Sequence, residues 1–170
     1  MKRIKLIIAT LLIFAAFHSF SQTQAGMKAV FIYNFTKYIE WPAEYKSGDF
    51  VIGVLGSSPV TAELAKYAET RKAGSQNIVV RTYSSVGEIS KCHMIYIPAE
   101  KSGELSSVIS QINGNSTLII TEQSGLAKSG SGINFISNND QVEFELNQGN
   151  ITNYGMKINS KLTELGKVVN

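Results

Sequence analysis

The spacing of apolar positions changes three times along the chain. An unbroken apolar run, Leu6 to Phe17 (LIIATLLIFAAF), follows the basic residues Lys2, Arg3 and Lys5. Residues 26–39 then place Met27, Val30, Phe31, Asn34, Phe35 and Tyr38 at helical spacing, which predicts an amphipathic helix ending before Pro42. From Phe50 the pattern is short apolar runs separated by turn residues and helical segments. Phe50 to Leu55 (FVIGVL) reads as a strand buried on both faces, as in a parallel sheet. Ser58 and Pro59 supply an N-cap and a first-turn proline for a helix over 59–69. The alternation continues with a strand over Ile78 to Tyr83, a short helix or turn over 84–90, and a strand over His93 to Ile97 stopped by Pro98. A helix over 100–112 follows, with Leu105, Val108, Ile109 and Ile112 as its apolar face, and then a buried strand over Thr117 to Thr121.

Beyond Gly130 the period becomes two. Val142, Phe144 and Leu146 alternate with Glu143, Glu145 and Asn147, so this strand has one wet face. With Ile133 to Ile136 it flanks the turn residues at 137–140 and forms an antiparallel hairpin, expected at one edge of the sheet. Residues 149–168 are expected to close the chain as one or two helices, with Ile158, Leu162 and Leu165 inward. Strand–helix alternation followed by a hairpin predicts an α/β single-domain sandwich with a mostly parallel central sheet and flanking helices.

The first apolar run is too short for a permanent span, which needs roughly 20 apolar residues. Its basic start and the small residues Ser19 and Ser21 fit a secretory signal cleaved after Ser21, with a cut after Ala25 as the alternative. Residues 1–21 are therefore expected to be removed, leaving one domain over 22–170 in the periplasm with no membrane span. The full chain carries 16 basic and 13 acidic residues, and losing Lys2, Arg3 and Lys5 makes the two counts equal. A neutral mature domain gives no support to nucleic-acid binding. Its single cysteine, Cys92, cannot form an intramolecular disulfide and starts a buried strand, which predicts a free thiol.

The residue inventory holds little catalytic chemistry. Mature His93 stands next to Cys92, and adjacent strand residues point to opposite faces, so the two do not form a nucleophile pair. Neither supplies the three or four N/S ligands a zinc site needs. Asn138, Asn139 and Asp140 are the best all-oxygen candidates, and a solvated turn explains them equally well. Neither a metal nor a cofactor is expected. The segment Gly53 to Ser58 (GVLGSS) opens a helix but matches neither dinucleotide nor phosphate-loop fingerprints. A small ligand, if bound, would sit beyond the carboxyl ends of the strands, near Ser57, Ser58, Thr121 and Glu122. Glu143 and Glu145 read as a solvated strand face rather than a facing carboxylate pair. Among the aromatics of the first helix and its exit, Tyr33 and Trp41 are the candidates for an exposed protein-binding surface.

The segment Lys28 to Pro42 (KAVFIYNFTKYIEWP) closely resembles the opening motif of the YfiR-like family of periplasmic proteins. Further segments are similar to that family in the same order: Val51 to Gly56, Cys92 to Ile97, Leu118 to Ala127, Gly132 to Phe135, Val142 to Asn147 and Ile158 to Leu162. The resemblance implies a non-catalytic regulator that binds and restrains a membrane signalling protein, a diguanylate cyclase in the best-known case. It implies that an outer-membrane lipoprotein draws the regulator away; a homodimer is left open. The paired cysteines of the regulator type are reduced here to the Cys92 position. Beside this reading stand a periplasmic small-ligand binder and an enzyme of unrecognised kind.

Mass spectrometry of the protein taken from its native envelope is expected to show a mature start at Gln22, or else at Gly26. An intact Met1 on a membrane-bound form would contradict the export reading.

Overall fold

The structure, a computed structural model, describes residues 24–138 and 141–170. The expected signal peptide lies outside the described residues, as do Asn139 and Asp140 of the oxygen-ligand candidates. The chain opens with helix α1 (24–38), which runs directly into a two-residue strand β1 (Ile39–Glu40). There follow β2 (Phe50–Leu55), α2 (Pro59–Thr70), β3 (Lys72–Ala73), β4 (Gln76–Tyr83) and β5 (Met94–Ile97). The remainder is α3 (Leu105–Gln111), β6 (Leu118–Thr121), β7 (Ile133–Asn138), β8 (Gln141–Leu146), α4 (Gln148–Asn153), β9 (Lys157–Ile158), α5 (Ser160–Leu165) and β10 (Lys167–Val168).

Eight strands form one sheet in the order β10-β8-β7-β6-β5-β2-β4-β3. From β4 to β7 every pairing is parallel, while β7 and β8 pair antiparallel as a hairpin. All residues of β2, β5 and β6 are buried. That follows from the period-two geometry of strands whose two faces are both covered. Ile52, Val54, Met94, Tyr96, Leu118 and Ile120 face one core, with α1 and α2. Val51, Leu55, Ile95, Ile97 and Ile119 face the other, with α3. Gly53 belongs to this second face by necessity, because a Cβ there would lie 2.7 Å from Tyr83 Cε2 and 2.9 Å from Ile95 Cδ1. The expected sandwich is therefore present. No helix among the described residues is long and apolar enough to cross a membrane.

Four expectations need correction. The apolar face of α1 is rotated from the one predicted: Ala25, Ala29, Ile32, Phe35 and Ile39 are buried, while Met27 and Val30 are 36% and 40% exposed. Two alanines let the helix sit close to the sheet, and Phe31 and Phe35 then reach Phe135 and Phe144 at ring-centroid distances of 5.2–6.2 Å. The hairpin is not the edge of the sheet, since β10 adds to β8 in parallel. The last twenty residues are not simply helical, because β9 pairs with β1, Ile158 opposite Ile39, and β10 takes the edge. Leu162 is buried and Ile158 half-buried, but Leu165 is 60% exposed. In the segment expected to be a helix over 100–112, a 3-10 helix (Ala99–Glu104) precedes α3.

Cys92 and His93 enter β5 on opposite sides, Cys92 in the core against α3 and His93 against Trp41, Tyr45 and Phe50. His93 Nδ1 accepts from the Val51 N–H at 3.1 Å, which makes Nε2 the protonated nitrogen that donates to the Tyr45 carbonyl at 2.8 Å. Trp41 Nε1 donates to the His93 carbonyl at 3.1 Å. Burial, helped by the Lys91 charge, holds the imidazole pKa below its ordinary value of 6.5, although the bond to Tyr45 acts the other way. Burial also pushes the Cys92 thiol up to about 12.

A histidine whose folded pKa is depressed stays neutral while the unfolded chain takes up its proton. Stability is then complete above the unfolded pKa and is lost as pH falls through about 6.5 toward the folded value. Urea midpoints measured from about pH 7.5 to about 5.5, above the carboxylate range, should decline for the wild type and stay flat for His93→Gln. A wild-type midpoint independent of pH in that window would contradict this. Cys92 should react with a thiol reagent slowly in the native protein and rapidly in denaturant. Rapid native labelling, or a disulfide-linked dimer on non-reducing gels, would contradict the buried-thiol account.

Candidate functional site

At the carboxyl ends of β2, β5 and β6 the chain makes the turns that an open α/β sheet uses for ligands. Strand β2 ends at Gly56, whose φ of 77° suits glycine and whose surface is covered by the Lys101 side chain. Ser58 caps α2, its Oγ accepting from the Val60 N–H at 3.2 Å, with Pro59 in the first turn. The sequence carries both signals openly. The glycines of the Gly53 to Ser58 segment thus have structural reasons, close packing at one and a left-handed turn at the other.

Glu122, just past β6, binds two elements together. Its Oε1 accepts from the Ala99 N–H at 2.9 Å, and its Oε2 forms an ion pair with Lys28 Nζ from α1. Beside this pair lies a cavity of about 150 Å³, whose walls include Lys28, Ser57, Ser58, Tyr96, Glu100 and Glu122. The Tyr96 side chain is fully buried, with its hydroxyl close to Glu122 and Ser58. Burial first, and the nearby Glu122 charge second, raise its pKa far above the ordinary 10.0, with Ser58 acting in the opposite sense. A second, more open hollow of about 430 Å³ adjoins Ser57 and Ser58 and is lined by Thr61, Thr82 and Ser84.

Ser57, Ser58 and Glu122 therefore come together at the position expected for a ligand. Thr121 does not join them. Its Oγ1 lies 2.8 Å from Asn134 Oδ1 and 2.9 Å from Ser131 Oγ, inside a buried network continued by Asn134 Nδ2 donating to Glu145 Oε2 at 3.0 Å. Adjacent residues of a strand end point to opposite sides, which separates Thr121 from Glu122. Lys28, Tyr96 and Glu100 were missed in the sequence. Tyr96 left one signal, a tyrosine inside a strand buried on both faces, whose hydroxyl must find an outlet. Lys28 left none, since only tertiary packing brings α1 over the strand ends.

The two candidates for a protein-binding surface separate as well. Trp41 was expected at the surface and is 5% exposed, edge-on to Phe50 with ring centroids 4.9 Å apart. Its indole is held by the hydrogen bond to His93, so it belongs to the core and is no exposed anchor. Tyr33 is half-buried on α1, stacked on Tyr67 of α2 at 5.3 Å, with Lys37 Nζ 4.6 Å from its ring centroid. Helical geometry places Val30, Tyr33 and Lys37 on one face. Among the described residues no group of three or more His, Cys, Asp or Glu could hold a metal ion.

A family model described as YfiR/HmsC-like matches residues 25–167. No curated protein matches the chain in sequence. Among solved structures, the chain is similar to the ABC domain in complex with L-Trp from Streptococcus pneumonia, at 15% identity and a TM-score of 0.50. That match covers 70% of this chain and 55% of the other, so the chain spans about half the length of that structure. At this identity the likeness concerns the fold alone. The family match takes in nearly every described residue, from the buried start of α1 to β10, and the chain belongs to the YfiR/HmsC-like family, whose members are periplasmic, non-catalytic regulators of cyclic-di-GMP signalling.

Proposed function

We propose that the mature domain, periplasmic after cleavage of its signal, binds the periplasmic part of an inner-membrane sensor protein, a diguanylate cyclase, and holds it inactive. The observation that carries this reading is the family match over residues 25–167. An outer-membrane lipoprotein is the natural second partner, competing for the regulator. The face of α1 that carries Val30 and Tyr33 is our candidate for the contact. Val30 is 40% exposed, and Tyr33 is an aromatic already fixed by its stack on Tyr67. A side chain fixed in this way loses little freedom on binding, which favours it as an anchor. With equal numbers of basic and acidic residues after signal removal, the domain has no strong steering field, so the complex should depend weakly on salt.

Deleting the gene should raise cellular cyclic-di-GMP, and a membrane sensor should co-purify with the wild-type protein. Tyr33→Ala should weaken that complex by about 2 kcal/mol while leaving the unfolding temperature close to the wild-type value. Trp41→Ala should instead cost about 3–5 kcal/mol of folding stability, as removal of a buried aromatic does. Unchanged cyclic-di-GMP in the deletion strain, with no sensor co-purifying, would overturn the regulatory reading.

A further inference from the structure

Between β1 and β2 the chain forms a strap, residues 41–50, with little structure of its own. Two backbone bonds lie within it, from the Tyr45 N–H to the Pro42 carbonyl at 3.0 Å and from the Lys46 N–H to the Ala43 carbonyl at 3.1 Å, and they close one 3-10 turn (Ala43–Tyr45). Three of its side chains are buried, Trp41, Tyr45 and Phe50, and all three rings pack on the His93 imidazole, at centroid distances of 5.9, 5.3 and 4.2 Å. Hydrogen bonds fasten the strap to the same residue. The His93 carbonyl holds Trp41, Nε2 holds the Tyr45 carbonyl, and Nδ1 holds the Val51 N–H where the strap enters β2. The remaining ties carry no charge: the Gln76 amide donates to the carbonyls of Tyr45, Ser47 and Gly48, and the Ser116 N–H donates to the Tyr45 hydroxyl.

The fastening turns on one nitrogen. Nδ1 accepts a hydrogen bond only while it carries no proton. Once protonated it meets the Val51 N–H donor to donor, and that buried amide loses its acceptor. The stack on Phe50 offers a cation some return, and the Tyr45 carbonyl keeps its donor in either state. Burial nonetheless holds the imidazole pKa below its ordinary value, so the closed strap favours the neutral ring. The ring borders a hollow of about 350 Å³ whose walls include Lys37, Glu40, Lys46 and Gly74, a route for water and protons. The titratable groups around it come from several elements. Lys91, on the approach to β5, lies 4.2 Å from the centre of the Tyr45 ring. The end of α1 and β1 bring Lys37 and Glu40, and Glu40 is paired with Lys46. The strap itself adds Tyr45 and the exposed Glu44 and Asp49. From β2 and the β3–β4 hairpin come Val51, Gly74 and Gln76, none of them titratable. Neither ring nitrogen bonds a carboxylate, so no partner awaits the imidazolium. Among these groups the imidazole is the one whose type changes charge between about pH 5 and 8.

We propose that His93 is an acid-operated latch: when Nδ1 takes up a proton, the strap 41–50 lifts and exposes Trp41 and Tyr45, while β2, β4, β5 and β6 stay paired. The proton that lowers global stability thus acts first on one segment. The device does not rest on the regulatory reading and is tested on the isolated protein.

Native-state hydrogen exchange of the exported protein, followed by NMR at about pH 7.5, 6.5 and 5.5 and in low urea, tests it, each rate being divided by that of an unstructured peptide at the same pH. The Val51 amide and the indole N–H of Trp41, the chain's single tryptophan, report the strap. The amides of Leu118–Thr121 in β6 report global unfolding. At about pH 5.5 the strap reporters should be less protected than β6 by about tenfold or more and nearly indifferent to low urea, the mark of a local opening. Their protection should fall by up to about tenfold per pH unit below about 6.5, the limit for uptake of one proton. In His93→Gln, whose amide accepts from Val51 and donates to Tyr45 without titrating, they should show no pH dependence. Strap reporters as protected as β6, with the same urea dependence, would mean that the strap opens only by global unfolding and would overturn the proposal. Protection independent of pH in the wild type, or a pH response retained in His93→Gln, would overturn it equally. If that variant does not fold, the wild-type comparison decides alone.

Discussion

Three central strands, β2, β5 and β6, have no exposed residue, and the rest of the chain is arranged to cover them. A parallel sheet must bury both faces, so each face needs helices delivered by right-handed crossovers. On one side that cover is α3 with the 3-10 turn before it. On the other it is α1, which precedes the sheet in the chain and lies across it through Ala29, Ile32 and Phe35. The exit of α1 is then tied down. Trp41 donates to His93, and His93 bonds to both Val51 and Tyr45. His93 thereby joins three segments at the entry to β5, its carbonyl holding Trp41 and its imidazole holding Tyr45 and the start of β2. The Val51 N–H keeps its acceptor, Nδ1, only while the imidazole is neutral.

The same cover produces the two candidate surfaces. Because α1 buries its alanine side, it leaves Met27 and Val30 outward, on the surface available to a partner. Because it reaches past the ends of the strands, it brings Lys28 to Glu122 and encloses the cavity under which the Tyr96 hydroxyl lies. Neither surface is a property of one element, and both exist only once helix and sheet are packed.

Much of this architecture was legible in the sequence. The buried strands announced themselves as short apolar runs, and the Ser58–Pro59 cap placed the start of α2 to the residue. The hairpin was legible because Val142 to Asn147 alternates strictly. Errors arose where local pattern competes with packing. The apolar face of α1 was misplaced because Met27 and Val30 are as hydrophobic as the residues that are buried, and alanine, which decides the close approach, carries a weak signal. β9 and β10 are two-residue strands, below the length at which periodicity can be read, and they exist through pairing with β1 and β8. Trp41 looked like an exposed anchor because its hydrogen-bond acceptor, the His93 carbonyl, lies 52 residues away in sequence. In the ligand crevice the turn residues Ser57, Ser58 and Glu122 were foreseeable, whereas Tyr96 and Lys28 depend on long-range packing.

The proposed role of this domain is to restrain a membrane sensor rather than to carry out chemistry of its own. The most direct measurement reconstitutes the co-purifying sensor cyclase in membranes and follows cyclic-di-GMP synthesis while the purified mature domain is titrated against its periplasmic face. The account predicts a synthesis rate that falls and saturates when the domain matches the sensor in amount, with a Tyr33→Ala domain requiring a higher concentration. A rate unaffected by a domain shown to be folded and bound would contradict it.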